Sequence, residues 1–167
     1  MLKKIVMAVA LIALPTLGAM AQQKLAHVDP QAVIAEMAEY KKAVSDLEAM
    51  SKNYQDELQR TQDEFNKKYQ ELVAQQDSLP RNILERRQKE VQDMYQRQEQ
   101  FQQEAQQSLQ QAQQEAMSAI QEKVLKAVKE IGEAEGYSYI FDVSSIPFVG
   151  AQSVDITDKV KAKVGIK

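Results

Sequence analysis

The sequence contains no cysteine, no tryptophan and a single histidine, His27. Without cysteine the chain cannot form a disulfide. The five glycines form no phosphate-binding loop. We therefore expect a protein that is not an enzyme and that holds no cofactor or metal ion, with His27 as a packing or edge residue of a strand.

Basic side chains are outnumbered, with 21 Lys and Arg against 24 Asp and Glu, for a net charge of −3. Since binding to nucleic acid depends on neutralising phosphates, no nucleic-acid partner is expected. Carboxylates could still bind calcium, but the four aspartates that might form such a cluster do not have EF-hand spacing. Capping and turn roles explain most of them: Asp29, Asp142, Asp155 and Asp158.

Residues 1–21 have the features of a cleavable secretion signal. Lys3 and Lys4 precede an apolar run over residues 5–14, and Ala19 and Ala21 form a small-residue cleavage pattern. A membrane anchor is the less favoured alternative, because this run is well short of the roughly 20 residues that span a bilayer. We expect cleavage after Ala21, export of residues 22–167, and at most peripheral contact with a membrane.

Helical periodicity dominates residues 30–131. Asp29 and Pro30 suit the start of a helix, and Gly132 and Gly136 suit its final end. A seven-residue ladder predicts a coiled-coil seam along the first helical segment. Its members, with the residues at intermediate positions, are Met37, Tyr40, Val44, Leu47, Ser51, Tyr54, Leu58, Phe65, Leu72 and Leu79.

The stretch at residues 76–82 predicts a reversal between two helical segments of nearly equal length, 50 and 51 residues, or about 75 Å each. Asp77 and Ser78 favour turns, Pro80 disfavours helix in the residue before it, and Asn82 with Glu85 resembles a capping box. A kinked single rod is the alternative. Glutamine fills 14 of 34 positions over residues 88–121, so a disordered segment is a second alternative, although the helical spacing continues through it.

Strand patterns occur at both ends of the exported chain, at residues 24–28 and 137–143. Further apolar pieces lie at 146–149 and 153–156, before a short helix capped by Thr157 or Asp158. A hairpin would bring these ends together. The predicted fold is α+β dominated by helix, with an arm over 30–131 and a β-rich body from 22–29 and 132–167. Because such a small sheet has exposed edges, self-association is expected there.

The arm is poor in core-forming residues: Leu, Ile, Val and Phe fill only 9 of the 60 positions from 59 to 118. Adaptable or amphipathic side chains on so thin an arm suit partners without a fixed shape, although they could equally belong to the seam. These candidate contact residues are Met50, Tyr69, Met94, Tyr95 and Met117. A basic cluster near the turn is interrupted by acids and predicts a solvated helix face; it contains Arg81, Arg86, Arg87 and Lys89.

Three short pieces, KLAHVD, GYSYIFDV and VDIT, resemble the Skp/OmpH family of periplasmic chaperones. The resemblance implies a homotrimer in which strands of three chains close into a barrel while helical arms surround a cavity. It also implies an ATP-independent holdase for unfolded outer-membrane proteins. Residues assigned to the trimer body on this basis are Leu25, His27, Val28, Tyr139, Phe141, Val143, Phe148 and Ile156.

The chain departs from well-known members of that family, whose arms are strongly basic. Its acidic balance and many glutamines argue against electrostatic capture of a partner or of lipopolysaccharide, and favour apolar and hydrogen-bonding contact. The leading alternative function is a structural coiled-coil protein that bridges or spaces components of the cell envelope.

Overall fold

The computed structural model describes residues 23–166. The predicted secretion signal, residues 1–21, lies outside this range. Within it, four α-helices and three short strands follow one another, with a single 3-10 turn at Val143–Ser145. In chain order they are β1 (Leu25–Val28), α1 (Pro30–Glu36), α2 (Ala38–Gln75), α3 (Arg81–Glu135), β2 (Tyr139–Asp142), β3 (Val154–Asp155) and α4 (Thr157–Val164).

The chain reverses at residues 76–80, so that α2 and α3 form a long hairpin. The Ser78 backbone N–H and hydroxyl both donate to the Gln75 carbonyl at 3.0 Å, so the last carbonyl group of α2 has hydrogen-bond partners. Helix α3 begins at Arg81, directly after Pro80. The predicted reversal is confirmed and the kinked rod is wrong. The predicted capping box is also wrong, because Asn82 lies inside α3 and no side chain caps the start of this helix.

The hairpin delivers β2 beside β1, as its equal segments predict. All three strands are parallel, in the order β2-β1-β3, with Leu25 opposite Tyr139 and Ala26 opposite both Ile140 and Val154. Strand β2 is shorter than predicted, since the Asp142 carboxylate accepts from the Ser144 N–H and turns the chain away at Val143. No strand forms at residues 146–149.

The first helical segment is not continuous, because the chain leaves helical geometry at Met37. There ψ is 135°, and the Met37 N–H bonds to the Ile34 carbonyl at 3.1 Å. This break turns the Met37 side chain fully into the core. Helix α3 runs past Gly132 and ends at Glu135, followed by Gly136 in the left-handed conformation with φ of 69°.

The hydrophobic core lies at the base, where α1, α4 and the ends of α2 and α3 cover one face of the sheet. Leu72 and Ala105 are the buried residues of the outer arm in the described range. The arm is therefore a thin two-helix structure attached to a well-packed body. The core consists of Ala26, Val28, Val33, Ile34, Met37, Ile120, Val124, Ala127, Ile131, Ile156, Val160 and Val164.

Candidate functional site

The residues predicted for the trimer body separate into two groups in the structure. Val28 and Ile156 are buried in the core of a single chain, and Leu25, His27 and Val143 are partly buried. The aromatic members differ, because they lie at the surface of the chain: Tyr139, Phe141 and Phe148.

The exposed aromatic rings lie at a free edge of the sheet. Tyr139 and Phe141 project from the outer face of β2 and stack with ring centroids 6.0 Å apart. Ile140 points inward, where its Cδ1 leaves only 3.0 Å to the position a Cβ would take at Gly132. Since β2 and β3 are both edge strands, their outer backbone groups have no strand partner within the described chain. Such an edge with exposed aromatics can add a strand from another chain.

His27 belongs to a polar chain that connects four elements of the body. Its Nδ1 lies 2.9 Å from the Ser153 hydroxyl, and its Nε2 lies 3.8 Å from Asp155 Oδ2. Asp155 accepts the Thr157 N–H at 2.8 Å, and the Thr157 hydroxyl accepts the Asp29 N–H at 3.0 Å. These contacts join β1, β3, α1 and α4. The side chain that accepts a backbone N–H at the start of α4 is Asp155, whereas the sequence predicts Thr157 or Asp158 as the cap. Sequence reasoning missed Ser153, which lies 126 residues from its partner.

The aspartates of this chain act in local structure. Asp29 caps α1 by accepting the Ala32 N–H at 2.9 Å. Hydrogen bonds from the Thr157 side chain and backbone lower the pKa of Asp155. No group of three or more metal-binding side chains occurs among residues 23–166. None of the helices in that range is sufficiently long and apolar to cross a membrane.

A second polar cluster fixes the end of α3 on the body. The Lys159 ammonium donates to both oxygens of Glu135 at 2.6 and 2.7 Å, and the Tyr137 hydroxyl bonds to the same carboxylate at 3.1 Å. The hydrogen bond from Lys159 is the main reason that the pKa of Glu135 is lowered. Lys24 lies over the Tyr137 ring, 4.2 Å from its centroid. These contacts orient the arm relative to the sheet.

The candidate contact residues of the arm lie on two different sides of it. Met94 lines a cleft of about 520 Å³ among charged residues, and Met50 lines another of about 400 Å³. Tyr69 and Tyr95 flank Phe65 on the other side, with centroid distances of 6.1 and 6.4 Å. Both tyrosines are about half exposed. The lining residues of the two charged clefts include Glu39, Lys42, Asp46, Glu57, Glu64, Glu90, Arg97, Glu104 and Glu115.

The basic residues near the tip have polar or acidic neighbours. Arg81 pairs with Glu85 at 2.9 Å, and Arg87 donates to the Gln75 side chain at 2.8 Å. Lys68 and Glu90 pair across the two helices at 3.0 Å. Opposite charges thus alternate at this end of the arm, as the interrupted sequence pattern predicts. Asp77, Ser78 and Pro80 of the tip are solvent-exposed.

Comparison with known proteins identifies the family of this fold. The family of outer membrane proteins described as OmpH-like matches residues 24–164. No curated protein matches the chain. A crystal structure from Caulobacter crescentus CB15, described as an OmpH-like outer membrane chaperone, is similar with a TM-score of 0.74 and 16% identity. The similarity covers 85% of this chain and 83% of that one. The chain belongs to the OmpH-like family of outer membrane proteins.

Proposed function

We propose that this protein is an ATP-independent periplasmic holdase that binds unfolded outer-membrane β-barrel proteins and prevents their aggregation during transit. The arm is the observation that carries the proposal. Helix α3 has 55 residues, a length of about 80 Å, and the arm buries few of its own side chains while exposing Tyr69 and Tyr95. Such a surface can hold an unfolded chain without imposing one shape on it.

The working form in this proposal is a homotrimer joined at the base. The free edges of the sheet and the exposed pair Tyr139 and Phe141 support it, because closed symmetric assembly would cover both. Three arms extending from one base would enclose a space between them. A client held in that space is kept from meeting other unfolded clients, which is sufficient to prevent aggregation without nucleotide.

Suppression of aggregation tests the function directly. A urea-unfolded outer-membrane β-barrel protein is diluted into detergent-free buffer, and light scattering is followed with and without the chaperone. We expect suppression at a near-stoichiometric ratio of trimer to client, with the same result when ATP is added. A protein that only spaces envelope components would leave the scattering unchanged, and that result would contradict the proposal.

A further inference from the structure

One side of the arm carries almost no charge. On α2, side chains spaced alternately by four and three residues form one stripe, since this spacing keeps them on one side of a helix. A matching stripe runs along α3. We call the two stripes together the amide face, and Glu99 is its one charged member. It consists of Gln55, Gln59, Gln62, Asn66, Tyr69 and Val73 on α2 with Gln88, Gln92, Tyr95, Glu99, Gln102, Gln106, Gln110 and Gln113 on α3.

Contacts across the seam place both stripes on the same side of the hairpin. Gln98 of the seam donates to Gln62 at 2.7 Å, and the Phe65 ring touches both Tyr69 and Tyr95. The charged clefts and the bridge between Lys68 and Glu90 occupy the other side. Interaction with the Glu99 carboxylate, four residues further along α3, raises the pKa of Tyr95.

Three of the five exposed large apolar side chains of the arm lie on the amide face, whereas Leu125, near the base, lies outside it. Tyr69, Tyr95 and Val73 are 51%, 52% and 48% exposed. Towards the base, Val44 and Met117 line one cleft with Gln113, so the apolar surface continues there. The five candidate contact residues therefore divide: Tyr69, Tyr95 and Met117 are on this side, whereas Met50 and Met94 line the charged clefts.

The chemistry of this face matches an extended, uncharged polypeptide. A glutamine amide both donates and accepts hydrogen bonds, as the free N–H and C=O groups of an extended chain require. From Gln88 to Gln113 the face is about 38 Å long, which accommodates a transmembrane strand of about ten residues, or about 33 Å. Membrane-barrel strands present uncharged apolar side chains on one face.

We infer that the amide face is the surface on which this protein holds its client, and that it binds extended strand segments of an unfolded membrane β-barrel through side-chain amides and tyrosine rings. This inference rests on the proposed function and specifies its site. It also predicts weak salt dependence, because a neutral surface gains little from charge attraction.

Two matched triple variants test the inference. The first replaces three exposed residues of the amide face: Gln88→Glu, Gln102→Glu and Gln106→Glu. The control places the same charge on the side of α3 that faces away from α2: Gln96→Glu, Gln100→Glu and Gln107→Glu. All six positions are exposed, and each set contains one pair spaced by four residues. Circular dichroism establishes that both variants keep the helix content and melting temperature of the wild type.

Binding of a fluorescently labelled, urea-unfolded eight-stranded membrane barrel is measured by titration at low and high salt. We expect the Kd of the amide-face variant to rise by at least about tenfold, because carboxylates would lose water without gaining a partner. We expect the control to change by less than about twofold. Wild-type affinity should change little between the two salt concentrations.

Equal effects of the two variants, or a larger effect of the control, would overturn the inference while leaving the holdase function intact. The inference would also be overturned if the amide-face variant changed its oligomeric mass in native mass spectrometry while its affinity for the client stayed the same. That result would mean that a second copy of the chain covers the amide face. If wild-type protein fails to suppress aggregation, the proposed function itself is wrong, and this inference falls with it.

Discussion

Replacement of Ile156 by alanine should destabilise the body strongly. Ile156 joins β3 to α4, its side chain has no exposed surface, and its backbone N–H bonds to the His27 carbonyl at 3.0 Å. Truncating such a side chain removes favourable burial and leaves a cavity, at a cost of about 3 kcal/mol. For a chain of this size, about 3 kcal/mol lowers the melting temperature by about 6 to 12 °C.

Thermal unfolding followed by circular dichroism measures this change. The matched control is Val154→Ala, two residues earlier on β3, where the side chain is 39% exposed and the expected cost is below about 1 kcal/mol. Each variant is compared with wild type at two protein concentrations that differ by about a hundredfold. Because Ile156 is buried by its own chain, its shift should be the same at both concentrations.

Two results would refute this reasoning. A shift for Ile156→Ala as small as that for Val154→Ala would mean that α4 does not pack on the sheet as described. A shift that grows on dilution would mean that Ile156 is buried between chains, in the trimer body, rather than inside one chain.

Three further predictions concern the base. Phe141→Asp should keep its helical circular dichroism but lose the proposed trimer in native mass spectrometry, since the ring is exposed in one chain; an intact trimer would count against closure at this edge. Gly136→Ala should lower stability by about 1 kcal/mol in urea unfolding because φ is 69°, whereas Gly150→Ala, where a Cβ meets an ordinary contact at 3.6 Å, should change little. Because the pKa of Asp155 is lowered in the folded protein, its carboxylate stabilises the fold above pH 3.8, and this stabilisation is lost as the pH falls through the pKa of the folded state. Asp155→Asn should therefore weaken the decrease of the urea unfolding midpoint at acid pH, and an unchanged decrease would contradict this.

Long-range regularities of the sequence predict most of this fold. Equal helical segments on either side of Pro80 are sufficient to place β1 beside β2, and alternation separates Ile140 from Tyr139 and Phe141. The break at Met37 was not predicted, because Met37 fits the heptad ladder equally well. Its departure from the helix depends on the core that forms around it.

The candidate site is harder to predict from the sequence than the fold, because its features depend on the side of the arm on which each residue lies. Val44 belongs to the predicted seam yet is 38% exposed, and Met94 lies beside a charged cleft. The glutamine-rich composition was evident, but composition does not show that the amides and the tyrosines share one side. The link from His27 to Ser153 carries no sequence signal, since serine at a strand end has many uses.

The parallel pairing of β1 with β2 also constrains how the chain folds. These strands are adjacent in space, but the whole arm separates them in sequence, so Leu25 meets Tyr139 only after the hairpin is complete. Closing an unstructured loop of this length would cost about 4 kcal/mol in chain entropy. A hairpin that forms first from local helices removes much of that search. The arm therefore has a role within its own chain, because it must bring the two ends together before the sheet can form.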